Sequence, residues 1–190
     1  MISKTRKLTV MAMLVAISVI LVYFIRFPIF PAAPFLEYDP ADIPILIGTF
    51  AFGPIAGIIL TVIASAIQAL TVSVHSGIYG FLMHVIATST LVIVAGTIYK
   101  VKHTRVGALI GLISGTVAWC AVMLVANHFI TPIFMMVPTA AVDSMLIPVI
   151  LPFNLIKAGI NSLVTFLVYK TVSVYVIKNE LPAAGKKIQG

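Results

Sequence analysis

Three polar residues interrupt a long apolar segment near the end of the chain. Asn154, Lys157 and Asn161 stand in FNLIKAGIN, residues 153–161. In an α-helix, their spacing of i, i+3 and i+7 puts all three on one face. An ammonium and two carboxamides can hydrogen-bond a small molecule that carries donors and acceptors on its rim. The pattern predicts one wall of a binding site, although a lysine near a helix end can also simply extend to the membrane interface.

The composition predicts the surroundings of this segment. Of 190 residues, 61% are hydrophobic and 9% are charged, and the mean hydropathy is +1.18. Soluble domains carry roughly 25% charged residues, so we predict an all-α integral membrane protein. Because a helix needs about 20 residues to cross the hydrocarbon, the length fits a single compact bundle over residues 1–190.

The positively charged residues set the predicted topology. The net charge is +7, and most Lys and Arg residues lie before residue 8, in YKVKHTR (99–105) and after residue 169. Short loops rich in Lys and Arg lie on the cytoplasmic side of a membrane. All three clusters, and with them both termini, are therefore expected in the cytoplasm. Since topology accounts for the charge, we predict no nucleic-acid partner.

This orientation selects six spanning helices over five. They are predicted at residues 8–26, 43–52, 54–74, 79–99, 106–129 and 149–176. A cytoplasmic tail follows at 178–190. The break between the second and third helices is predicted in AFGPIAG (51–57), because glycine permits a turn and Pro54 can begin a helix. A single helix across this region would place YKVKHTR outside.

Three connections are then expected on the outer face. The first, FPIFPAAPFLEYDPADIP (27–44), contains five prolines and cannot form a regular helix. The second is the glycine-bounded HSGIYG (75–80). The third, TPIFMMVPTAAVDSMLIP (131–148), is apolar and rich in proline and methionine, which favours a loop folded back onto the protein.

Further polar residues are expected in the same outer half. Asn127 lies near the end of the fifth helix, and Tyr38 lies in the first connection. Asn127 could instead bond a neighbouring helix, and tyrosine favours the membrane interface in general. His84 and Gln68 lie within helices, where hydrogen bonds between helices are the expected role.

The sequence gives no sign of catalysis or of a metal centre. It contains no G-x-x-x-x-G-K-[ST] loop, no G-x-S-x-G elbow and no H-E-x-x-H helix. The four histidines lack the clustered spacing of zinc ligands, and Cys120 has no cysteine to pair with. We therefore predict neither an enzyme nor a cofactor protein. A mostly apolar pocket with neutral donors and one cation suits a flat, polar-edged small molecule.

The first helix carries a second kind of signal. Ala12 and Ala16 stand four residues apart in TVMAMLVAISV. Such small-residue pairs let another helix approach closely. Internal packing is one use for this pair, and docking of a separate protein is another.

Taken together, these features resemble the substrate-binding subunits of energy-coupling factor (ECF) transporters. The likeness extends over essentially the whole chain. Two segments, LEYDPADIPILIGTFAFGPIAG (36–57) and PFNLIKAGINSLV (152–164), resemble the riboflavin-specific members. The alanine pair is common to many vitamin-binding relatives.

The resemblance implies a high-affinity riboflavin-binding protein of the bacterial plasma membrane, a multi-pass protein in which riboflavin is the transported substrate. It implies a transmembrane coupling subunit and two cytosolic ATPase subunits as partners. By position, Ala12 and Ala16 would face the coupling subunit. The residues that would contact riboflavin by resemblance are Leu36, Tyr38, Asn127, Asn154 and Lys157; Asn161 joins them by helical spacing alone.

Two alternatives stay open at this point. A sister subunit for thiamine, biotin or pantothenate would share the fold, but its pocket is expected to lack the Asn154/Lys157 pair. A stand-alone ion-coupled secondary transporter would use an acid within the membrane as its proton carrier. The acids of this chain are predicted in loops or in the tail, which counts against ion coupling.

Overall fold

The structure, a computed structural model, describes residues 4–31 and 33–177. The predicted tail, 178–190, lies outside the described residues. The α-helices are α1 (Lys4–Phe24), α2 (Asp42–Phe52), α3 (Pro54–Leu70), α4 (Gly77–Val101), α5 (Arg105–Met135), α6 (Thr139–Met145) and α7 (Leu151–Ile177). A π-helical segment, Leu146–Ile150, joins α6 to α7. Strands β1 (Phe27–Pro28) and β2 (Glu37–Tyr38) pair antiparallel.

Within the described residues, four helical segments are long and apolar enough to cross a membrane. They are Lys4–Phe24, Gly77–Val101, Arg105–Met135 and Thr139–Tyr169. The helices α2 and α3 are also apolar but have only 11 and 17 residues, fewer than the roughly 20 that a perpendicular crossing requires. The prediction of an all-α membrane protein is confirmed with respect to helix content and the presence of helices long and apolar enough to span a membrane.

The chain folds back sharply between α2 and α3. Gly53 joins them with a φ of +92°, a backbone conformation that glycine adopts without steric cost. Pro54 is the first residue of α3, where its missing N–H breaks no helical hydrogen bond. Gly57 then lies against the side chain of Thr49, a contact that a straight helix of this length would not permit.

In the part of the bundle distant from the first connection, small residues allow the helix backbones to approach each other closely. A Cβ on Gly111 of α5 would lie 2.9 Å from the backbone oxygen of Ala95 on α4. A Cβ on Gly96 would lie 2.6 Å from Thr49 Cγ2, and a Cβ on Gly115 would meet a leucine of α4 at 2.7 Å. Close approach at small residues is the usual mode of helix packing in membranes. We call Gly57, Gly96, Gly111 and Gly115 the glycine seam.

The third connection differs from the prediction. The loop predicted over 131–148 is wrong, because α5 continues to Met135 and α6 begins at Thr139. The prediction of a loop rests on the proline content of this segment, but its prolines are compatible with helical structure. Pro138 immediately precedes α6, a position at which a missing N–H costs little. Pro148 lies within the π-helical segment, whose wider turn accommodates an interrupted hydrogen-bond ladder.

A small apolar cluster holds the first connection on the bundle. Ala33 and Leu36 from this connection pack with Val142 of α6 and with Ile150 and Phe153 around the start of α7. The larger core lies among α1 to α5 and α7. The first connection is therefore a packed cover over one end of the bundle, and the candidate site lies beneath it.

Candidate functional site

A cavity of about 190 Å³ lies between the first connection and the adjacent parts of α3, α4, α5 and α7. Large apolar side chains supply much of its lining, among them Phe35, Met83, Trp119, Met123 and Phe153. Carboxamides, hydroxyls and a few charged groups interrupt this lining. An apolar recess with a small number of placed polar groups is typical of small-molecule sites.

The polar stripe predicted on the last helix faces the protein interior. Asn154 is 2% exposed, Lys157 is 8% exposed, and Asn161 and Thr165 are fully buried. The helical spacing predicted this shared face. Lys157 does not extend to the membrane interface, so the alternative explanation for its presence does not describe this structure.

Lys157 is paired with an acid from the first connection. Its Nζ donates to Asp39 Oδ2 at 2.6 Å and to the backbone oxygen of Glu37 at 3.4 Å. Both members of the ion pair are buried. Removing one partner of a buried pair leaves an uncompensated charge, which costs about 3–5 kcal/mol. The pair therefore fixes the first connection to α7.

This geometry shifts the pKa values of two groups in the first connection. Burial alone would raise the pKa of the Asp39 carboxyl, but the nearby Lys157 ammonium holds that pKa below its ordinary value. Burial, followed by the neighbouring Asp39 and Asp42 carboxylates, raises the pKa of the Tyr38 hydroxyl. At neutral pH, Asp39 is therefore an acceptor and Tyr38 is a donor.

Tyr38 and Asn161 lie behind the cavity wall, and neither lines the cavity. The Tyr38 hydroxyl donates to Asn161 Oδ1 at 3.0 Å. Asn161 Nδ2 donates to the backbone oxygen of Asp39 at 3.0 Å and to Asp42 Oδ2 at 2.8 Å. Both amide N–H groups of Asn161 are thereby used. In this structure the two residues tie the first connection to α2 and α7, and their contact with a ligand stays a prediction.

Leu36, Asn127, Asn154 and Lys157 do line the cavity. Asn154 Oδ1 accepts from Trp119 Nε1 at 2.7 Å, and its Nδ2 donates to the backbone oxygen of Ile150 at 2.8 Å. Since a carboxamide has two N–H donors and two acceptor lone pairs, Asn154 keeps one of each for a ligand. Its orientation is fixed by the two bonds that it already makes.

Asn127 is held in the same way on α5. Its Nδ2 donates to the backbone oxygen of Met123 at 2.7 Å, and its Oδ1 accepts from the Thr131 hydroxyl at 2.8 Å. It is 1% exposed. One N–H and one lone pair remain for a ligand, so Asn127 and Asn154 present two fixed carboxamides to the cavity.

Asp42 is a buried acid that sequence reasoning missed. It is the first residue of α2 and is fully buried. Its Oδ1 accepts from the Thr88 hydroxyl at 2.6 Å and lies 3.6 Å from His84 Nε2. The expectation that the acids lie in loops is wrong for Asp42, because its partners are distant in sequence and no local pattern reveals them.

Arg26 is a second residue that the sequence did not single out. Its Nε donates to Glu37 Oε2 at 2.7 Å, its guanidinium also donates to the backbone oxygen of Val72, and Nη2 lies 3.1 Å from His75 Nε2. Arg26, Glu37 and His75 line the cavity. The guanidinium thus joins Glu37 of the first connection to residues 71–76, which connect α3 to α4.

Two further cavity residues carry unpaired polar atoms. Gln68 Nε2 and His84 Nε2 are buried without a hydrogen-bond partner among the described residues. His84 does make the bond between helices that was expected of it, since its Nδ1 lies 2.6 Å from Ser65 Oγ. For Gln68 the expected role is a hydrogen bond between helices, but its Nε2 makes no hydrogen bond to the described residues.

The alanine pair lies away from the cavity. Ala12 and Ala16 are both exposed on α1. They therefore do not serve packing within the described bundle. The surface that they form is available to lipid or to another protein.

The chain is similar to known transport proteins over most of its length. The model of the family described as "ECF transporter, substrate-specific component" matches residues 6–169. The riboflavin transporter RibU of Staphylococcus aureus is 31% identical over 176 residues, which cover 90% of this chain and 92% of that protein. The riboflavin transporter FmnP of Bacillus subtilis is 29% identical over 175 residues, with coverage of 87% and 91%.

A solved structure shows the same fold. The S component of a bacterial ECF transporter aligns with a TM-score of 0.79 at 30% sequence identity, covering 92% of this chain and 99% of that chain. The apolar helices and the family match together place this protein in the membrane. The chain belongs to the family of substrate-specific components of ECF transporters, which are transport proteins and not enzymes, as the sequence predicted.

Proposed function

We propose that this chain is the riboflavin-binding subunit of an ECF transporter and that its cavity holds riboflavin. The observation that carries the proposal is the pair of fixed carboxamides, Asn127 and Asn154, beside Lys157 in an apolar cavity. Relatives that match about nine-tenths of the chain are riboflavin transporters, which favours this vitamin over thiamine, biotin or pantothenate.

The chemistry of the flavin ring suits these groups. The ring has two apolar faces and a polar edge that carries carbonyl and ring-nitrogen acceptors together with one N–H donor. Each carboxamide offers both a donor and an acceptor, and the Lys157 ammonium has one N–H beyond the two that bond to Asp39 and Glu37. Trp119 and Phe153 supply apolar surface for the ring faces.

Riboflavin binding requires the cavity to widen. Its volume of about 190 Å³ is below the roughly 300–1,000 Å³ of most small-molecule pockets. We propose that the first connection moves outward to admit the vitamin and then closes again. Leu36 would contact the bound vitamin from this connection, while Tyr38 and Asn161 would hold the connection in its closed position.

The proposed topology has six spans. They are α1, α2, α3, α4, α5 and the continuous unit of α6, the π-helical segment and α7. Both termini lie in the cytoplasm of a bacterial cell, and the cavity opens on the outer side. The basic residues before Leu8 and in 100–105 support this orientation, because helix order places both groups at the end opposite the cavity.

The energy for transport comes from partners. We propose that the chain joins a transmembrane coupling subunit and two cytosolic ATPase subunits, and that ATP hydrolysis there drives reorientation and inward release of riboflavin. The exposure of Ala12 and Ala16 on α1 supports a docking role for this surface.

A competition titration tests the proposed substrate. The purified protein, freed of bound ligand, is titrated with riboflavin while flavin fluorescence is recorded. We expect saturable quenching at submicromolar riboflavin, with no displacement by excess thiamine, biotin or pantothenate. Displacement by one of these vitamins, or no quenching at micromolar riboflavin, contradicts the assignment.

A further inference from the structure

Gln68 of α3 carries a polar group that the packing of the protein does not use. The residue is 6% exposed, it lines the cavity, and its Nε2 has no hydrogen-bond partner among the described residues. Buried N–H groups are nearly always paired, because water no longer satisfies them. A free carboxamide nitrogen beside a cavity therefore points to a ligand as its partner.

The distribution of such unpaired groups supports the same conclusion. Among the described residues, three buried side-chain N or O atoms lack a partner: Gln68 Nε2, His84 Nε2 and Ser89 Oγ. The first two belong to residues that line the cavity, whereas Ser89 does not line it. Unsatisfied hydrogen-bonding capacity is thus concentrated at this cavity.

His84 extends the polar surface around Gln68. Its Nδ1 is engaged by the Ser65 hydroxyl at 2.6 Å, and its Nε2 lies 3.6 Å from Asp42 Oδ1, beyond hydrogen-bonding distance. Ser65, Gln68 and His84 all line the cavity from α3 and α4. We call these three residues the α3–α4 wall, and Asn127, Asn154 and Lys157 the α5–α7 wall.

The two walls differ in what surrounds their polar groups. Large apolar residues, Trp119, Met123 and Phe153, accompany the α5–α7 wall. Apolar Phe81 and Met83 also line the cavity from the side of the α3–α4 wall, but three hydroxyl-bearing residues join them there: Ser73, Ser76 and Tyr79. The first arrangement suits the flat ring of a flavin. The second, rich in hydroxyls, suits a flexible polyol, because each hydroxyl can both donate and accept.

We propose that the α3–α4 wall binds the ribityl chain of riboflavin and that Gln68 donates to one of its hydroxyls. This inference rests on the proposed function and assigns an orientation to the vitamin. The ring then lies against the α5–α7 wall, where Asn127 and Asn154 meet its polar edge. His84 Nε2, the other unpaired atom of this wall, serves a second ribityl hydroxyl.

Lumiflavin provides the test, because it has the flavin ring but a methyl group in place of the ribityl chain. Gln68→Met keeps the length of the side chain and removes its hydrogen-bonding groups. We expect this variant to bind riboflavin about tenfold more weakly, the effect of one lost hydrogen bond, and to bind lumiflavin with an unchanged dissociation constant. Both constants are measured by flavin fluorescence on the purified full chain.

Ser89→Ala is the matched control. It removes the third unpaired buried atom, which lies away from the cavity, so both flavins should bind as they do to the wild type. Gln68→Leu carries the same expectation as Gln68→Met and replaces it should the methionine variant fail to fold. Lumiflavin binding itself reports whether each variant keeps a folded cavity.

The outcomes separate this inference from the proposed function. A wild type that binds neither flavin overturns both. A wild type that binds riboflavin overturns the orientation alone in two cases: Gln68→Met binds riboflavin as tightly as the wild type, or it loses riboflavin and lumiflavin affinity equally. A loss specific to riboflavin supports the assignment of the ribityl chain to the α3–α4 wall.

Discussion

Two regions of this bundle are built on different principles. Around the cavity, ion pairs and carboxamides join elements far apart in the sequence, as in the contact of Lys157 with Asp39, 118 residues earlier. Along the glycine seam, backbones approach each other without charged groups, as where Gly111 meets Ala95. Polar contacts can open and re-form around a ligand, whereas close backbone packing cannot. The cavity region therefore serves both recognition and stability, whereas the glycine seam serves stability alone.

The largest effect is expected from breaking the ion pair of the cavity region. Lys157→Met leaves the Asp39 carboxylate buried without its partner, which should destabilise the protein by about 3–5 kcal/mol and eliminate riboflavin binding in the submicromolar range. Unfolding in detergent and flavin titration measure the two effects.

The double variant Asp39→Asn/Lys157→Met is the control for this change. It removes both charges, so it should recover much of the lost stability while riboflavin affinity stays low. A single Lys157→Met variant as stable as the wild type would show that the pair does not fix the first connection to α7.

A smaller effect is expected from filling the glycine seam. Gly111→Ala places a methyl group 2.9 Å from the Ala95 backbone oxygen, and such overpacking costs about 1–3 kcal/mol. Gly159→Ala is the matched control, because a Cβ there meets nothing within 4 Å and alanine favours a helix by roughly 0.5–1 kcal/mol. Unfolding temperatures should move in opposite directions, and equal shifts would refute the role of the seam.

Flavin mononucleotide tests the charge balance of the cavity. Arg26 is paired with Glu37, Lys157 is paired with Asp39, and Asp42 is buried close by. A phosphate group, with about −1.5 to −2 charges at pH 7, thus meets no unpaired Lys or Arg among the described lining residues. We expect it to bind at least about tenfold more weakly than riboflavin, about 1.4 kcal/mol. Equal affinity for flavin mononucleotide and riboflavin would require Arg26 or Lys157 to leave its carboxylate partner and bind the phosphate.

The smallest effect on binding is expected on α1. Ala12→Leu combined with Ala16→Leu changes an exposed surface, so stability and riboflavin affinity should stay within about 0.5 kcal/mol of the wild type. Riboflavin uptake by cells that carry the coupling partners should nevertheless be lost, because the larger side chains block close helix approach. Normal uptake would remove these alanines from the proposed interface.

Local patterns made part of this structure predictable. The interior face of α7 follows from polar residues at helical spacing, and the break at Gly53 follows from a glycine next to a proline. Both signals lie within a few residues of the feature that they specify. Composition alone was sufficient for the membrane environment.

The partners of those residues were not predictable, because they come from distant segments. Nothing in FNLIKAGIN indicates that Lys157 pairs with Asp39 or that Asn161 donates to Asp42. Arg26 likewise gains its role only when two connections meet above the cavity. The sequence of one segment predicts which side chains share a helix face. The fold determines which groups from other segments contact that face.

The glycine seam shows a second limit of prediction from the sequence. Two of its members, Gly111 and Gly115, stand four residues apart in the sequence, a spacing that predicts close helix packing. Ala12 and Ala16 have the same spacing, for which packing within the bundle and docking of another protein were both open, and the structure leaves them exposed. Equal spacing does not distinguish an internal seam from an external surface.

The fluorescence of Trp119 tests the central claim most directly. It is the chain's single tryptophan, and it lines the cavity with its Nε1 bonded to Asn154. Riboflavin bound in the cavity should quench this emission to saturation at one vitamin per chain and at submicromolar concentration, and Asn154→Leu should shift the midpoint upward. Unchanged tryptophan emission up to about 10 μM riboflavin, where the binding free energy is only about −7 kcal/mol, would contradict the account.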